Sequence, residues 1–367
     1  MALGTGVTAP ETTPVSPAVA GGRRRFRLPR SPKIIVGLVL LGIFVLIAFI
    51  GPLIAPYNPS ATLSTASGTP QPPSAAHWLG TTQIQQDVLS QLLVGTRATM
   101  VVSFLAGAVA TVLSILIGVS AGYFGGLADD LLSMLINVGL VLPALPLLIV
   151  LTGFLSSSTS ANDLLIALII AITGWAFGAR VLRVQTLSLR NRDFVDSARL
   201  IGERSWRIVV FEILPSLVPI VATSFLFTVI YAIGTYTSLA FLGLISGSHW
   251  SWGTMLFWAQ QSSAAQSKEW WWFVPPGLAV ALLGMSLALL NFGIDEFINP
   301  RLRSAGLSRK VAQQAGLPRR FRLGVTPVTR SALGHGPVPV SAATASSATA
   351  PTASSATGTA TASEAGR

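Results

Sequence analysis

The chain contains no cysteine, so disulfides and thiolate metal sites are excluded. Charge is scarce too: 10% of its 367 residues are charged and 51% hydrophobic, with a mean hydropathy of +0.65. A soluble chain of this length needs far more polar surface, so the composition defines an integral membrane protein. Its three histidines, His77, His249 and His335, fall in loops or tail, which leaves the membrane segments without a base for a nucleophile. Lysine occurs only at positions 33, 268 and 310, and none sits in the phosphate-cradling pattern G-x-x-x-x-G-K-[ST]. No catalytic residue, metal site or cofactor site is assigned.

What is abundant is apolar sequence. A bilayer core needs about 20 apolar residues in a helix. Six stretches qualify, near 34–54, 98–122, 131–153, 163–181, 215–244 and 273–294. Pro143 and Pro146 should bend the third, and the fifth is long enough to tilt or to kink at Pro219. The first lacks a small-residue cleavage site and is longer than a signal-peptide core, so it reads as an uncleaved span. Six spans put both termini on one side. Of the 24 basic residues, all but Arg97 and Lys268 then fall on the cytoplasmic side. That satisfies the positive-inside rule, with the acidic turn Tyr123–Asp130 a mild exception. The net charge of +11 is therefore a topological signal, and nucleic acid is not an expected partner.

The expected organisation follows: a disordered basic N-terminus (1–33), a first span (34–54), an extracytoplasmic segment (55–97), a five-helix core (98–294) and a mostly disordered cytoplasmic tail (295–367). The basic stretch 301–330 either rests on anionic headgroups or acts only as a topological anchor. The second span carries a small-residue seam, Ala106, Ala110, Ser114, Gly118 and Gly122, which permits close helix approach. Gly174 and Gly178 repeat it in the fourth span, and Gly284 and Ala288 in the sixth.

Span interiors hold no ionisable residue, whereas ion-coupled carriers usually need one. The fifth span offers neutral polar groups instead: Thr223, Ser224, Thr228, Tyr231, Thr235, Tyr236, Thr237 and Ser238. They could line a wet pathway for a polar solute or bond neighbouring helices, and spacing alone leaves both open.

The most charged loop, DFVDSARLIGERSWRIVVFEILP, runs from Asp193 to Pro215. Asp193 is placed to cap a short helix, with Asp196 in a capping-box-like position and Gly202 as the stop. Ser205 can start a second helix that feeds Pro215. Arg199 with Glu203, and Glu203 with Arg207, lie at i,i+4 spacing. Phe194, Val195, Ala198 and Ile201 give the first helix an apolar face that could dock in a groove or lie at an interface.

This loop resembles the coupling loop of ATP-binding-cassette importer permeases, whose pattern is Glu-Ala-Ala-x-x-x-Gly followed by Ile-x-Leu-Pro. Here Asp196, Ser197 and Ala198 precede Gly202, then Leu214 and Pro215; Glu212 stands where the motif has Ile. HWLGTTQIQQDVLSQLLVGTR, AGYFGGLADD, GWAFGARVLRVQTLSLRNRDFVDSARLIG, SLAFLGL and SWGTML are similar to C-type permease subunits of dipeptide and oligopeptide importers. Together they cover about 34–303. Thr82, Gln85 and Gln86 stand where that family usually has Asp, Gly and Arg.

The resemblance implies an all-α membrane protein with the type I importer transmembrane fold. It also implies a role as one half of a heterodimeric pore in a prokaryotic cell membrane. Two cytoplasmic ATP-binding subunits would supply the hydrolysis, and an extracytoplasmic binding protein would supply the solute. Asp193, Asp196, Ser197, Ala198, Arg199, Gly202, Glu203, Leu214 and Pro215 become candidate coupling residues. Thr223, Ser224, Thr228, Tyr231, Thr235 and Ser238 become candidates for the pathway. The solute could equally be nickel or another small molecule. A channel, a secondary carrier or a membrane anchor would work without ATPases.

Overall fold

The computed structural model describes residues 32–62, 70–154, 162–245 and 249–298. The expectations for the N-terminal basic cluster, the stretch 301–330 and the C-terminal tail lie outside those residues. By contacts the chain divides into Met1–Gly306 and Leu307–Arg367, and everything described belongs to the first unit.

Apolar runs become helices because, in lipid, every backbone N–H and C=O must be paired within the segment. Five long helices meet that demand: α1 (Pro32–Ile54), α2 (Val88–Phe124), α5 (Asp163–Leu189), α8 (Leu214–Phe241) and α10 (Trp270–Ile298). The third span is a broken pair, α3 (Gly126–Val141) and α4 (Ala144–Gly153), bent by 85°. Pro143 starts the second half and Pro146 follows within its first turn, so the bend expected from these prolines is present. Short helices α6 (Asp193–Leu200) and α7 (Ser205–Ile208) precede α8, and α9 (Trp252–Gln261) precedes α10. Among the described residues there is no strand, only an isolated bridge between Thr81 and Asp87. The result is an all-α protein with five helices long and apolar enough to cross a membrane, and six spans when the bent pair is counted as one.

Two boundaries differ from expectation. Helix α2 begins at Val88, not 98, because Asp87 caps it: its carboxylate accepts from the Ser90 N–H at 2.8 Å. Helix α8 is continuous through Pro219 and starts at Leu214, directly after a π-helical turn at Val209–Ile213. The Leu214 N–H reaches back five residues to the Val209 carbonyl. Pro215, the next residue, has no N–H to donate.

The α2 seam packs against α5. Gly118 sits on the Ala179 backbone, and a Cβ on Gly178 would meet Ser114 Oγ at 2.7 Å. Ser114 Oγ donates to the Trp175 carbonyl at 2.6 Å, so the approach is close enough for a direct interhelical bond. The seam expected in the sixth span is not used this way: a Cβ on Gly284 would meet nothing within 4 Å. Close contact there comes from Gly37 of α1 against the Ser286 carbonyl, and from Ile34 against Gly293 of α10.

Candidate functional site

At the end of the bundle that carries the charged loop, α6 is held by two apolar residues. Val195 is fully buried and Ala198 packs beside it, in a cluster with Val119, Tyr123, Leu182, Ile208, Ile213 and Leu217. That cluster joins α2, α5, α6, α7, the π turn and α8. The face expected to dock elsewhere is therefore split. Val195 and Ala198 point into the bundle, while Phe194 and Ile201 are exposed together with Leu200 and Trp206. The helix is amphipathic in two directions because one apolar side anchors it and another remains open.

Its start differs from expectation by one residue. Arg192 is the N-cap and makes no side-chain capping bond; Asp193 and Asp196 lie in the first turn, where carboxylates favour the positive end of the helix. Ser197 Oγ donates to the Asp193 carbonyl at 2.8 Å. The second short helix is likewise preceded by Arg204 instead of being capped by Ser205.

The stop is as expected. Gly202 has φ +85°, its N–H donates to the Arg199 carbonyl at 3.0 Å, and the Glu203 N–H donates to the Ala198 carbonyl at 3.1 Å. Those two bonds form a Schellman motif, which needs a left-handed residue at Gly202. The turn carries Glu203 off the face of α6, so Arg199 pairs with Asp196 at 3.1 Å and not with Glu203. Glu203 does pair with Arg207, at 3.3 Å. Arg199 also lies over the Tyr123 ring, 5.5 Å from its centroid, which ties the loop to the end of α2. Leu214 and Pro215 then open α8, directly after the π turn.

A clamp sits beside this loop. Arg183 of α5 donates Nε to Asp129 Oδ1 at 2.6 Å and Nη2 to Oδ2 at 2.9 Å. Ser133 Oγ supports the same carboxylate at 2.8 Å, and Arg190 Nη1 donates to the Gly122 carbonyl at 3.3 Å. These bonds bring AGYFGGLADD onto the α5 arginines. Adjacent motifs in sequence gave no pairing rule, so sequence reading missed the clamp.

The candidate pathway groups of α8 are buried or half-buried. Thr223, Thr228 and Ser238 donate to their own helix at the Ile220, Ser224 and Gly234 carbonyls. Tyr231 OH meets Thr173 Oγ1 at 3.1 Å on α5. Thr228, Thr235 and Tyr236 are buried, and Thr237 is half-buried. Ser224 supplies a carbonyl to Thr228 and is half-buried. Asn137 on α3, not singled out in sequence, is an exposed amide within a membrane span. Its signal was an isolated polar residue in the run LINVGLV.

The opposite end of the bundle is capped by HWLGTTQIQQD. Asp87 accepts from Ser90 and sits 3.0 Å from His77 Nδ1. Gln83 Nε2 donates to the Ser262 carbonyl at 2.7 Å, and Trp271 Nε1 to the Thr81 carbonyl at 3.2 Å. The three departures from the family pattern form one neutral turn. Thr82 Oγ1 accepts from the Gln86 N–H at 3.0 Å, Gln85 takes φ +61°, and Gln86 is buried against the Ser60 carbonyl and Gln91. The Thr82 hydroxyl and the Gln86 amide thus hold this turn. SWGTML packs beside this cap, with the Trp252 N–H donating to Thr99 Oγ1 at 3.3 Å.

Six spans, a broken third span and a helix–glycine–helix elbow feeding the fifth define a membrane permease. The model of the binding-protein-dependent transport system inner membrane component matches residues 114–304, and that of the N-terminal transmembrane domain of oligopeptide transport permease C matches residues 22–73. The chain belongs to this family of ATP-binding-cassette importer permeases, in its dipeptide and oligopeptide C-type branch. It is 31% identical over 235 residues to the oligopeptide transport system permease protein OppC of Mycobacterium tuberculosis strain H37Rv, covering 64% of this chain and 79% of that protein. It is also 31% identical over 294 residues to the dipeptide transport system permease protein DppC of Alkalihalophilus pseudofirmus, 78% of this chain and 92% of the relative. For DppC of Bacillus subtilis the figure is 28% over 278 residues, 76% of this chain and 84% of the relative.

Proposed function

We propose that this chain forms half of the translocation path for di- and oligopeptides, and that residues 191–214 carry motion into it from a separate ATP-binding subunit. The observation that carries this reading is the construction of the elbow. Val195 anchors α6 in the same apolar cluster as the ends of α2, α5 and α8, while Leu200, Ile201 and Trp206 stay exposed beside it. A push on the exposed side has no slack to absorb it before the π turn and α8. Asp193, Asp196, Ser197, Arg199 and Glu203 form the polar rim of the docking face; Ala198 and Gly202 set its geometry; Leu214 and Pro215 pass the displacement to the span. On this reading the elbow takes a second packing when nucleotide-driven closure of the partner pushes on it.

The remaining parts follow from the same reading. The loop end faces the cytoplasm, since the basic residues gather there, and the His77–Asp87 cap faces outward to a solute-binding protein. Both termini are cytoplasmic, the membrane is the prokaryotic cell membrane, and a second permease completes the pore. On this reading the chain divides into a first span (34–54), an outer segment (55–97) into which α2 extends back to Val88, a core (98–294) and cytoplasmic tails (1–33 and 295–367).

The test uses the assembled transporter in proteoliposomes. Because the chain has no native cysteine, Ile201→Cys gives it a single thiol. Cross-linking from that thiol to the ATP-binding subunit, with ATP-dependent uphill uptake, is the expected result. An active complex that never cross-links there, or uphill uptake by this chain without ATPases, would overturn the reading.

A further inference from the structure

The break between α3 and α4 lies at membrane depth. Its two halves follow α5: Asp129 is paired with Arg183, Ile136 and Gly139 pack on Ala171, Trp175 and Ala176, and Leu148 packs on Ile166 and Ile170. Residues 142–143 therefore sit level with the apolar middle of α5. Pro143 and Pro146 have no N–H, so the carbonyls of Gly139 and Leu142 lose the donors that an unbroken helix would supply. Asn137, just before the break, is exposed and has no hydrogen-bond partner among the described residues. Val141 is 82% exposed and Leu142 47%.

Lipid cannot satisfy free carbonyls or an amide; irregular backbone at this depth is tolerated where protein covers it or water reaches it. A groove of about 500 Å³, lined by Met134, Val138 and Val141 as well as by polar groups, offers a route for water. It runs along α3 from Asp130, Ser133 and Arg183 past Asn137 to Leu142, so it joins the polar groups at the break to the charged loop end. A groove open to the charged end can carry water and solute to the break.

We propose that Asn137 and the carbonyls at the α3–α4 break are the solute-facing strip of the path on this half of the pore. They offer acceptors to the N–H and ammonium groups of a passing peptide, and the Asn137 amide offers a donor as well. The inference rests on the peptide-permease reading, and it adds a polar strip on α3 to the α8 candidates, of which Thr223, Thr228, Tyr231 and Ser238 are already bonded within the bundle.

The absence of native cysteine makes the test direct. Asn137→Cys and Leu142→Cys are introduced singly into the assembled transporter, with Leu46→Cys on the exposed face of α1 as the lipid-facing control. Labelling of this chain by methanethiosulfonate ethylsulfonate requires a thiolate in contact with water, and both test sites should react about tenfold faster than the control. Labelling no faster than the control, in both nucleotide-free and vanadate-trapped states, would mean that lipid or a partner helix covers the strip, and would overturn the proposal. In uptake of radiolabelled trialanine, Asn137→Leu should lose about fivefold while ATPase activity persists, and Asn137→Gln should restore most of it. Unchanged uptake in Asn137→Leu would remove the solute contact. Failure of the unmodified transporter to take up any di- or tripeptide would instead count against the peptide reading, with the labelling still deciding whether the strip is wet.

Discussion

Arg183 and Asp129, 54 residues apart in sequence, meet in a two-point ion pair that fixes the start of α3 against α5 beside the elbow. Both side chains are partly buried, at 28% and 17% exposure, so the pair is less screened than a surface bridge. Removing one partner strands the other. Asp129→Asn and Arg183→Gln should each lower stability by about 1.5–3 kcal/mol. Thermal unfolding of the detergent-solubilised complex checks the single variants, and a double-mutant cycle should give a coupling of about 1 kcal/mol or more. Additive losses would show that the two groups do not act together.

Gly202 is the one residue in the elbow whose backbone an ordinary side chain resists. Nothing lies within 4 Å of a Cβ built there, so space is not the constraint; φ +85° is. A β-branched residue in that conformation costs about 1–2 kcal/mol, whereas asparagine tolerates it better. Gly202→Val should leave membrane insertion and the bundle intact but uncouple ATP hydrolysis from uptake. Gly202→Asn should keep most of both. The ratio of solute moved to ATP hydrolysed is the measurement, and a normal ratio in Gly202→Val would count against the coupling role.

The spans and the elbow were legible because they rest on local rules. Runs of apolar residues, a glycine after a short helix and prolines inside a span each act within a few residues. The Schellman turn at Gly202 and the bend at Pro143 follow from such rules. What was not legible depended on which helices meet. Val195 and Ala198 carry the same periodicity whether they face a partner or the bundle, and only the α2–α5–α8 cluster decides. Arg199 has acids at both i−3 and i+4; the turn at Gly202 removes Glu203 from its face and leaves Asp196. The α8 hydroxyls drew attention by their number, yet back-bonding to their own carbonyls accounts for Thr223, Thr228 and Ser238. A single amide, Asn137, drew none.

The α2–α5 contact depends on the missing side chain of Gly118. Its Cβ position is occupied by the Ala179 backbone, which cannot rotate aside as a side chain would. Gly118→Leu should force the helices apart and break the Ser114–Trp175 bond beside it, costing roughly 3 kcal/mol or more. Gly42→Leu on α1, where a Cβ meets nothing within 4 Å, should be nearly neutral. Yield of monodisperse complex and its unfolding temperature distinguish the two. Equal behaviour would mean that close approach at the seam is not needed.

Asp87 holds the other end of the molecule by two different bonds from one carboxylate. Oδ2 accepts from the backbone and hydroxyl of Ser90, at 2.8 and 2.6 Å, while Oδ1 meets His77 at 3.0 Å. The first satisfies an orphan N–H at the start of α2; the second pins the segment preceding it. Because Asp87 is almost wholly buried, water cannot substitute for it. Asp87→Ala should cost about 1–2 kcal/mol from the cap alone, and loosen Tyr57 and Trp271, which bond to Ser90 and Thr81 beside it. Asp87→Asn retains an oxygen for the Ser90 N–H and should lose less. Tryptophan fluorescence separates these outcomes, since Trp271 lies against this turn. An unchanged spectrum with an unaltered unfolding temperature in Asp87→Ala would show that the cap is held together by its glutamine bonds instead.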